Sequence, residues 1–472
     1  MLFSSVVFLF YFFPIVFLLY YLFSFSRTLQ NVLLLCASLV FYAWGEPVYV
    51  FLMIGSIVFN SLMGWLVGKQ DGKSKKIWLW VTIAVNIAVL FVFKYLGFVL
   101  ETLGLEELGV DLPLPIGISF FTFQALSYVV DVYRGTTKPD SVFNVGLYTS
   151  FFPHLIAGPI IQYNSVADQI KNRKSSFDKI AVGICRFTTG LGKKVLLSNC
   201  FASIADTVFQ LSSIGTDKDV VPAMLAWVGS IAYTLQIYFD FSAYSDMAIG
   251  LALCFGFKFG ENFNYPYIAT SVSDFWKRWH ISLTDWFREY IYFPLGGSRV
   301  ANQDFMVRNM FIVWLLTGIW HGANWTFIFW GLLYFVFQLA ERFFEYPEKI
   351  KSNFIKHVYT LLVVNTAWVV FRADNLYQAG RYYMNMLGLN NNGFYSDTAV
   401  MLIRENWVFL LLGIVFSTPI ARNMNEMFYA KQGTIVNRIY TVIYPVVMLL
   451  ILAVSVCYLA SGTYNPFIYF NF

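Results

Sequence analysis

Two histidines lie in apolar, tryptophan-rich stretches of this 472-residue chain. His280 is in FWKRWHISL (275–283), and His321 is in TGIWHGANW (317–325). Ionisable side chains are costly at membrane depth, so they usually face an interior cavity there, and imidazole exchanges protons readily near neutral pH. The pattern predicts an acid–base site inside a membrane protein. The alternative is a structural hydrogen bond to a neighbouring helix.

The composition indicates what must hold these histidines in place. The chain is 58% hydrophobic and 12% charged, whereas soluble proteins average about 25% charged. Because about 20 apolar residues cross a ~30 Å hydrocarbon core, an all-α polytopic membrane protein is predicted. The continuous apolar runs that support this prediction are 3–25, 47–67, 77–100, 221–239, 324–340 and 439–460. They do not alternate in polarity, which argues against a β-barrel.

Other patterns limit the possible classes of function. The first apolar run has no basic segment before it and no small-residue cleavage site after it, so it is predicted to be a retained span. The five cysteines form no CxxC pair, so neither a zinc site nor a disulfide framework is indicated. We expect no metal and no nucleic-acid partner. The net charge of +5 suggests basic loops on the inner face.

The positive residues predict the orientation, because Lys and Arg concentrate in cytoplasmic loops. An uncharged start before Arg27 places the N-terminus outside, and the basic stretches 69–76, 171–174, 342–356 and 422–438 are predicted to be inside. The C-terminus is then outside, which requires an even number of spans, ten or twelve. We expect a bacterial inner membrane. Segment 142–165 has Pro153, His154, Gly158 and Pro159 in an apolar run and is predicted to be re-entrant. Segment 262–300 mixes Trp, Arg, Pro and Gly and is predicted to be broken or interfacial helix.

His321 is predicted to lie in the outer half of the membrane. It is 13 residues, roughly 20 Å of helix, from Arg308, and 20 residues, roughly 30 Å, from Glu341. Gly318 and Gly322 would let backbone or substrate approach closely. Trp320 and Trp325 could serve as packing residues, interface anchors or oxyanion donors.

The motifs around both histidines resemble those of the membrane-bound O-acyltransferase family, especially its AlgI-like branch of bacterial polysaccharide O-acetylation subunits. The resemblance covers nearly the whole chain. It rests on LLLCASLVFYAWGEP (33–47), SFFTFQALSYVVDVYRG (119–135), FFPHLIAGPI (151–160), IYFDFSAYSDMAIG (237–250), ENFNYPYIATSVSDFWKRWHISL (261–283), DWFREYIYFPLGGSR (285–299) and WLLTGIWHGANWTFIFWG (314–331).

The resemblance implies acyl transfer through a central tunnel in a fold of about 10–12 transmembrane helices plus re-entrant and interfacial helices. His321 matches the family's catalytic histidine and His280 its second motif histidine. The implied acyl donor is acetyl-CoA. The implied partners are membrane lipid, an extracytoplasmic SGNH-type acetyltransferase and, indirectly, a polysaccharide acceptor. The HxxxxD match of His280 and Asp285 to soluble acyltransferases is interpreted as chance.

The chain is divided into a transmembrane domain, 1–460, and an aromatic tail, 461–472. The tail SGTYNPFIYFNF resembles the tails of AlgI-like subunits and of the small protein DltX, in which a tyrosine is proposed to carry the acyl group; Tyr469 is the match. The eight residues from Ser461 to Tyr469 reach up to ~26–29 Å, against a half-core of about 15 Å. An aromatic interface anchor is the alternative.

The remaining polar residues are expected to bind phosphate or to support the structure. Lys277, Arg278 and Arg288 are candidates for binding CoA phosphates, or else snorkel into solvent. Asp240 and Asp246 lie on different helix faces and are expected to organise polar contacts. His154 is expected to be structural or tunnel-lining, and His357 interfacial.

Three functions remain open at this point. The first is a relay that acetylates Tyr469 with His321 as the base. The second is a direct O-acyltransferase that acts on the final acceptor. The third is a transporter that moves an acylated carrier without chemistry.

Overall fold

The chain folds into helices joined by short irregular segments. The computed structural model describes residues 1–109, 112–213, 220–300, 302–347, 349–430, 434–462 and 464–468, and these contain no strand. The α-helices are α1 Phe13–Leu22, α2 Arg27–Ala43, α3 Tyr49–Lys69, α4 Gly72–Leu90, α5 Leu96–Thr102, α6 Ile118–Arg134, α7 Val142–Ser150, α8 Tyr163–Asn172, α9 Phe177–Gly192, α10 Asn199–Ser213, α11 Ala223–Cys254, α12 Val272–Trp276, α13 Ile281–Phe287, α14 Gln303–His321, α15 Trp325–Phe344, α16 Asn353–Arg372, α17 Leu376–Met386, α18 Asp397–Phe416, α19 Ile420–Ala430 and α20 Ile435–Ala460. π-Helical turns cover Phe8–Phe12, Phe91–Tyr95, Lys193–Ser198 and Arg288–Tyr292, and 3₁₀ turns cover Glu106–Leu108 and Pro266–Ile268.

The prediction of an all-α polytopic membrane protein is confirmed. In the part of the chain that the structure describes, seven helices are long and apolar enough to cross a membrane. They are Tyr49–Lys69, Gly72–Thr102, Phe177–Ser212, Trp325–Phe344, Asn353–Arg372, Asp397–Phe416 and Ile435–Ala460. Phe8–Leu22 and Arg27–Ala43 are apolar but shorter. Ten or twelve spans would require shorter or more polar helices to cross as well, so that count stays a prediction.

The described residues form two compact units that interleave along the chain. One comprises Met1–Phe187, Tyr244–Glu261 and Arg288–Tyr290, and the other comprises Thr188–Ala243, Asn262–Phe287 and Ile291–Phe472. In the first unit α3 packs against α4, α6 and α7, while in the second α15 packs against α12, α14 and α16. The division into a transmembrane domain and a tail stays a prediction, although α20 does end at Ala460.

The helices are interrupted in both of the segments 142–165 and 262–300, while a re-entrant path for the first stays a prediction. Residues 151–161 lie between α7 and α8, form no helix and are buried throughout. Burial in protein is what non-helical backbone needs if it is to lie at membrane depth. Residues 262–300 form the short helices α12 and α13, a π-turn and loops. The second of these segments carries His280.

Candidate active site

His321 lies at the end of a tightly packed pair of helices. It is the last residue of α14, and Asn324 caps α15 by accepting a hydrogen bond from the Thr326 amide. The helices approach through glycines: a Cβ at Gly318 would lie 2.5 Å from the Phe327 carbonyl oxygen, and one at Gly331 the same distance from the Trp314 carbonyl oxygen. Small residues permit such close backbone contact in membranes. The role predicted for Gly318 is confirmed.

Aromatic rings surround the His321 imidazole, which is only 5% exposed. Its ring centroid lies 4.9 Å from that of Trp330, 5.0 Å from that of Trp320 and 5.3 Å from that of Phe371, all nearly perpendicular. The C-terminus of a helix favours positive charge. The position of His321 at the end of α14 therefore suits a residue that accepts a proton during a reaction.

His280 is fully buried in the turn between α12 and α13, with an unusual φ of +43°. Its Nδ1 lies 3.2 Å from Oδ1 of Asn262, which also accepts a hydrogen bond from the Ser282 amide at 3.1 Å. Because an amide N–H can only donate, the atom facing both groups must be the Asn262 oxygen. His280 Nδ1 therefore donates, and Nε2 carries the lone pair.

The ring of Trp320 contacts both histidines. Its centroid is 6.2 Å from that of His280 and 5.0 Å from that of His321. Phe241 packs perpendicular to the His280 ring at 4.6 Å. Among the described residues, His280 Nε2 has no hydrogen-bond partner. The structure thus brings the two predicted histidines next to the same indole ring.

Glu341 holds the start of the helix that precedes His280. Its carboxylate accepts hydrogen bonds from the amides of Val272 (2.6 Å) and Ser273 (2.9 Å) at the N-terminus of α12. Ser271 caps the same helix through the amide of Asp274. A negative charge at a helix N-terminus is favourable, so this buried carboxylate fixes the His280 segment against α15.

The C-terminal tail packs into the second unit. Phe467 and Ile468 are 6% and 7% exposed, and the Ile468 amide donates to Oδ2 of Asp240 at 2.9 Å. Lys194 donates to the Pro466 carbonyl and forms an ion pair with Asp240 Oδ1 at 2.6 Å. Tyr469, the predicted acyl carrier, lies outside the described residues. The residues just before it are docked in the protein interior.

A cavity of about 530 Å³ lies beside this tail. Its polar lining includes Asp206, Gln236 and Arg372, and its apolar lining includes Phe371, which contacts His321, and Ile468. Tyr464 also lines it and donates to Asp206 at 2.8 Å; burial and then this hydrogen bond raise the pKa of Tyr464 to about 12. The cavity is thus bordered both by the tail and by Phe371, a ring that contacts His321.

The basic candidates for phosphate binding are less distinctive. Lys277 and Arg288 are exposed, and Arg278 pairs with Asp274 at 2.9 Å. Lys277 and Arg278 belong to the second unit and Arg288 to the first. The phosphate-binding role of all three stays a prediction.

The remaining acidic residues and histidines discussed above all have polar contacts in the structure. Asp240 pairs with Lys194, and Asp246 pairs with Arg186 at 2.9 Å. His154 Nε2 lies 2.9 Å from the Tyr148 carbonyl oxygen, and the partly buried His357 contacts the Ala269 carbonyl oxygen at 3.0 Å through Nδ1.

The tryptophan and HxxxxD interpretations can also be compared with the structure. Trp325 is 52% exposed, as an interface anchor is, whereas Trp320 is buried. Nδ1 of His280 bonds to Asn262, so this geometry gives no support to the HxxxxD interpretation with Asp285.

Sequence reasoning missed the residues that position the histidines and the tail. Asn262, Glu341 and Lys194 are buried polar groups with specific partners. The signal for Lys194 was available, because it is a charged residue inside an apolar helix. Asn262 lies 18 residues before His280 and Glu341 lies 68 residues after Ser273, and neither separation follows a local pattern.

Comparison with known proteins identifies the family. The model of the membrane-bound O-acyltransferase family matches residues 49–376. A protein of Azotobacter vinelandii named probable alginate O-acetylase AlgI is 39% identical over the whole length of both chains. A Helicobacter pylori peptidoglycan O-acetyltransferase is 33% identical over the whole of this chain and 98% of its own length, and a Bacillus subtilis teichoic acid D-alanyltransferase is 30% identical over 49% of this chain and 59% of its own. The chain therefore belongs to the membrane-bound O-acyltransferase family.

Proposed function

We propose that this chain moves an acetyl group from cytoplasmic acetyl-CoA to Tyr469 of its own tail for O-acetylation of an extracytoplasmic polysaccharide. The relatives named above modify alginate, peptidoglycan or teichoic acid, which supports acyl transfer to a cell-surface polymer. The observation that carries the relay is the docked tail. Ile468, bonded directly to Tyr469, is buried and bound to Asp240.

In the proposed reaction His321 acts as the general base. It takes the proton from the Tyr469 hydroxyl while the phenolic oxygen attacks the thioester carbonyl. The carbon–sulfur bond then breaks, and the proton passes to the departing thiolate, which leaves as CoA with a free thiol. A positioned histidine contributes about 10²–10⁴-fold to such a step. His321 ends helix α14, and the C-terminus of a helix favours the transient positive charge of the base.

The acetyl tyrosine is a suitable intermediate because of its leaving group. A phenol ionises near pKa ~10 and a thiol near ~8.5, so the phenyl ester keeps much of the transfer potential of the thioester. A hydroxyl of an extracytoplasmic transferase of the SGNH type would then attack this ester and release the tyrosine. His280, whose Nδ1 is committed to Asn262, orients Trp320 and the reacting hydroxyl.

Direct transfer to the final acceptor is a second candidate. The cavity beside the tail has carboxylate, guanidinium and amide groups next to aromatic rings, and such groups can bind a sugar. In that case the acceptor hydroxyl would replace Tyr469 as the nucleophile, and the tail would only border the cavity.

A trapping experiment separates these functions. Purified protein is incubated with isotope-labelled acetyl-CoA, and the adduct is located by peptide mass spectrometry. Under the relay, the label appears on Tyr469 and is lost in Tyr469→Phe and His321→Ala. The matched controls Tyr458→Phe, in α20, and His357→Asn, in α16, keep the label on Tyr469.

Two results would contradict the relay. If no protein residue carries the label and Tyr469→Phe still acetylates the polymer when its partner enzyme is supplied, transfer is direct. If acetyl-CoA is never consumed while an acylated carrier crosses the membrane, the protein is a transporter.

A further inference from the structure

Lys194 and Asp240 form an ion pair deep in the second unit. Their side chains are 3% and 2% exposed, and Lys194 Nζ lies 2.6 Å from Asp240 Oδ1. Lys194 is in the π-turn Lys193–Ser198 within the apolar span Phe177–Ser212, and Asp240 is in α11. Replacing a buried ion pair by two well-packed apolar side chains often leaves the stability of a protein unchanged or raises it. The pair therefore calls for a function other than holding helices together.

Each member of the pair also binds the backbone of the tail. Lys194 Nζ donates to the Pro466 carbonyl, and Asp240 Oδ2 accepts from the Ile468 amide at 2.9 Å. The ammonium group binds a backbone carbonyl, which accepts hydrogen bonds, and the carboxylate binds a backbone N–H, which donates one. Each charge therefore faces the peptide group of complementary polarity. Phe467, between these two contacts, lies with its ring centroid 5.9 Å from Lys194 Nζ.

Neighbouring groups add to this arrangement. Asn199 Nδ2 donates to Asn465 Oδ1 at 3.2 Å, and Ser198 Oγ donates to Asp240 Oδ1 at 3.3 Å. Ser198 belongs to the same π-turn as Lys194, and Asn199 follows it. π-Turns inside α-helices occur frequently at functional sites. Here the consecutive residues Ser198 and Asn199 contact Asp240 and the tail residue Asn465, respectively.

We propose that Lys194 and Asp240 are positioning residues that clamp the C-terminal tail and set the register of the residue after Ile468. Because the clamp binds backbone atoms, it fixes where the next side chain begins regardless of the tail's own side chains. Hydrogen bonds to charged groups are shorter and stronger than neutral ones. The suggestion that this register delivers Tyr469 to the acyl donor rests on the relay proposed above. The docking of the tail by Lys194 and Asp240 does not depend on that relay.

Hydrogen–deuterium exchange of the full-length protein in lipid nanodiscs tests the clamp. The readout is the exchange rate of the Ile468 amide, resolved by mass spectrometry of overlapping C-terminal peptides. We expect slow exchange in the wild type and an increase of roughly ten-fold or more in Lys194→Met and Asp240→Ala. Asp246→Asn is the matched control, since it breaks an ion pair of the same helix α11 and leaves Ile468 protected.

A charge swap separates positioning from helix packing. In Lys194→Asp with Asp240→Lys the ion pair can re-form, but residue 194 can no longer donate to Pro466 and residue 240 can no longer accept from Ile468. The clamp predicts recovery of the thermal unfolding temperature without recovery of Ile468 protection. Recovery of both would overturn it. If the swap fails to fold, the nearly isosteric Asp240→Asn replaces it, with an increase in exchange of a few-fold expected and wild-type exchange as the contrary result.

The clamp and the relay can fail independently. Tyr469→Phe should lose the acetyl label and keep Ile468 protected. Loss of protection in Lys194→Met, in a protein whose wild type never acquires the label, would support the clamp and reject the relay. Label on Tyr469 together with unchanged Ile468 protection in both clamp variants would support the relay and reject the clamp.

Discussion

His280 and His321 are both buried next to Trp320, but they are held in different ways. His280 lies in a turn between two short helices, and its Nδ1 is bound to Asn262. His321 ends a long helix and is surrounded by the rings of Trp320, Trp330 and Phe371. A hydrogen bond fixes one tautomer at His280, whereas aromatic rings pack against the His321 imidazole on several sides. This difference supports the proposal that His321 is the base and that His280 has an orienting role.

The largest effect is expected from removing the proposed base. His321→Ala should lower the rate of acetyl transfer to Tyr469 by about 10²–10⁴-fold, measured under single-turnover conditions. His280→Ala should cost less, because it removes orientation and leaves the base in place. His357→Asn serves as the control histidine. A larger loss in His280→Ala than in His321→Ala would reverse the assignment.

A smaller loss is expected when the support of His280 is removed. Asn262→Ala takes away the acceptor that fixes Nδ1, so the ring can rotate and the rate should fall by about 10–100-fold. Asn86→Ala is matched to it, since Asn86 is also buried and donates to Asn60 at 2.8 Å in the other unit. That control should lose stability and keep its rate per folded molecule. Equal rates in the two variants would contradict a positioning role for Asn262.

The sequence predicted the helical membrane fold, the helix pair around His321 and the irregular segments, because these features depend on local patterns. Apolar runs predict spans, and glycine with proline predicts backbone that cannot continue a helix. The pairing of Lys194 with Asp240 joins residues 46 positions apart, and Glu341 reaches α12 from α15. Such contacts depend on tertiary packing, which no spacing rule along the chain specifies.

The close packing of α14 against α15 beneath His321 allows a separate test, because it depends on glycines. In Gly318→Ala the new methyl group would lie 2.5 Å from the Phe327 carbonyl oxygen, and overpacking of this kind costs about 1–3 kcal/mol. Thermal unfolding in detergent should show the loss. Gly380→Ala, in α17 with nothing within 4 Å of the new Cβ, should be neutral or slightly stabilising. Equal unfolding temperatures for the two variants would contradict this prediction, because they would show that α14 and α15 can move apart without a loss of unfolding free energy.

The smallest effect is expected at Glu341, which supports His280 through a helix terminus. Glu341→Gln keeps one acceptor for the amides of Val272 and Ser273 but removes the charge, so a loss of about 1 kcal/mol in unfolding free energy is expected. Glu345→Gln is the control, because Glu345 is exposed and its ion pair with Lys349 at 3.3 Å should contribute little.

The transfer rate of Glu341→Gln tests whether Glu341 and Asn262 support the same turn, the one that contains His280. If both residues hold the His280 segment, combining Glu341→Gln with Asn262→Ala should change the transfer rate non-additively, as residues of one network do. Purely additive losses would mean that α12 and the imidazole are anchored separately. In that case the orientation of His280 depends on Asn262 alone, and the carboxylate contributes only to stability.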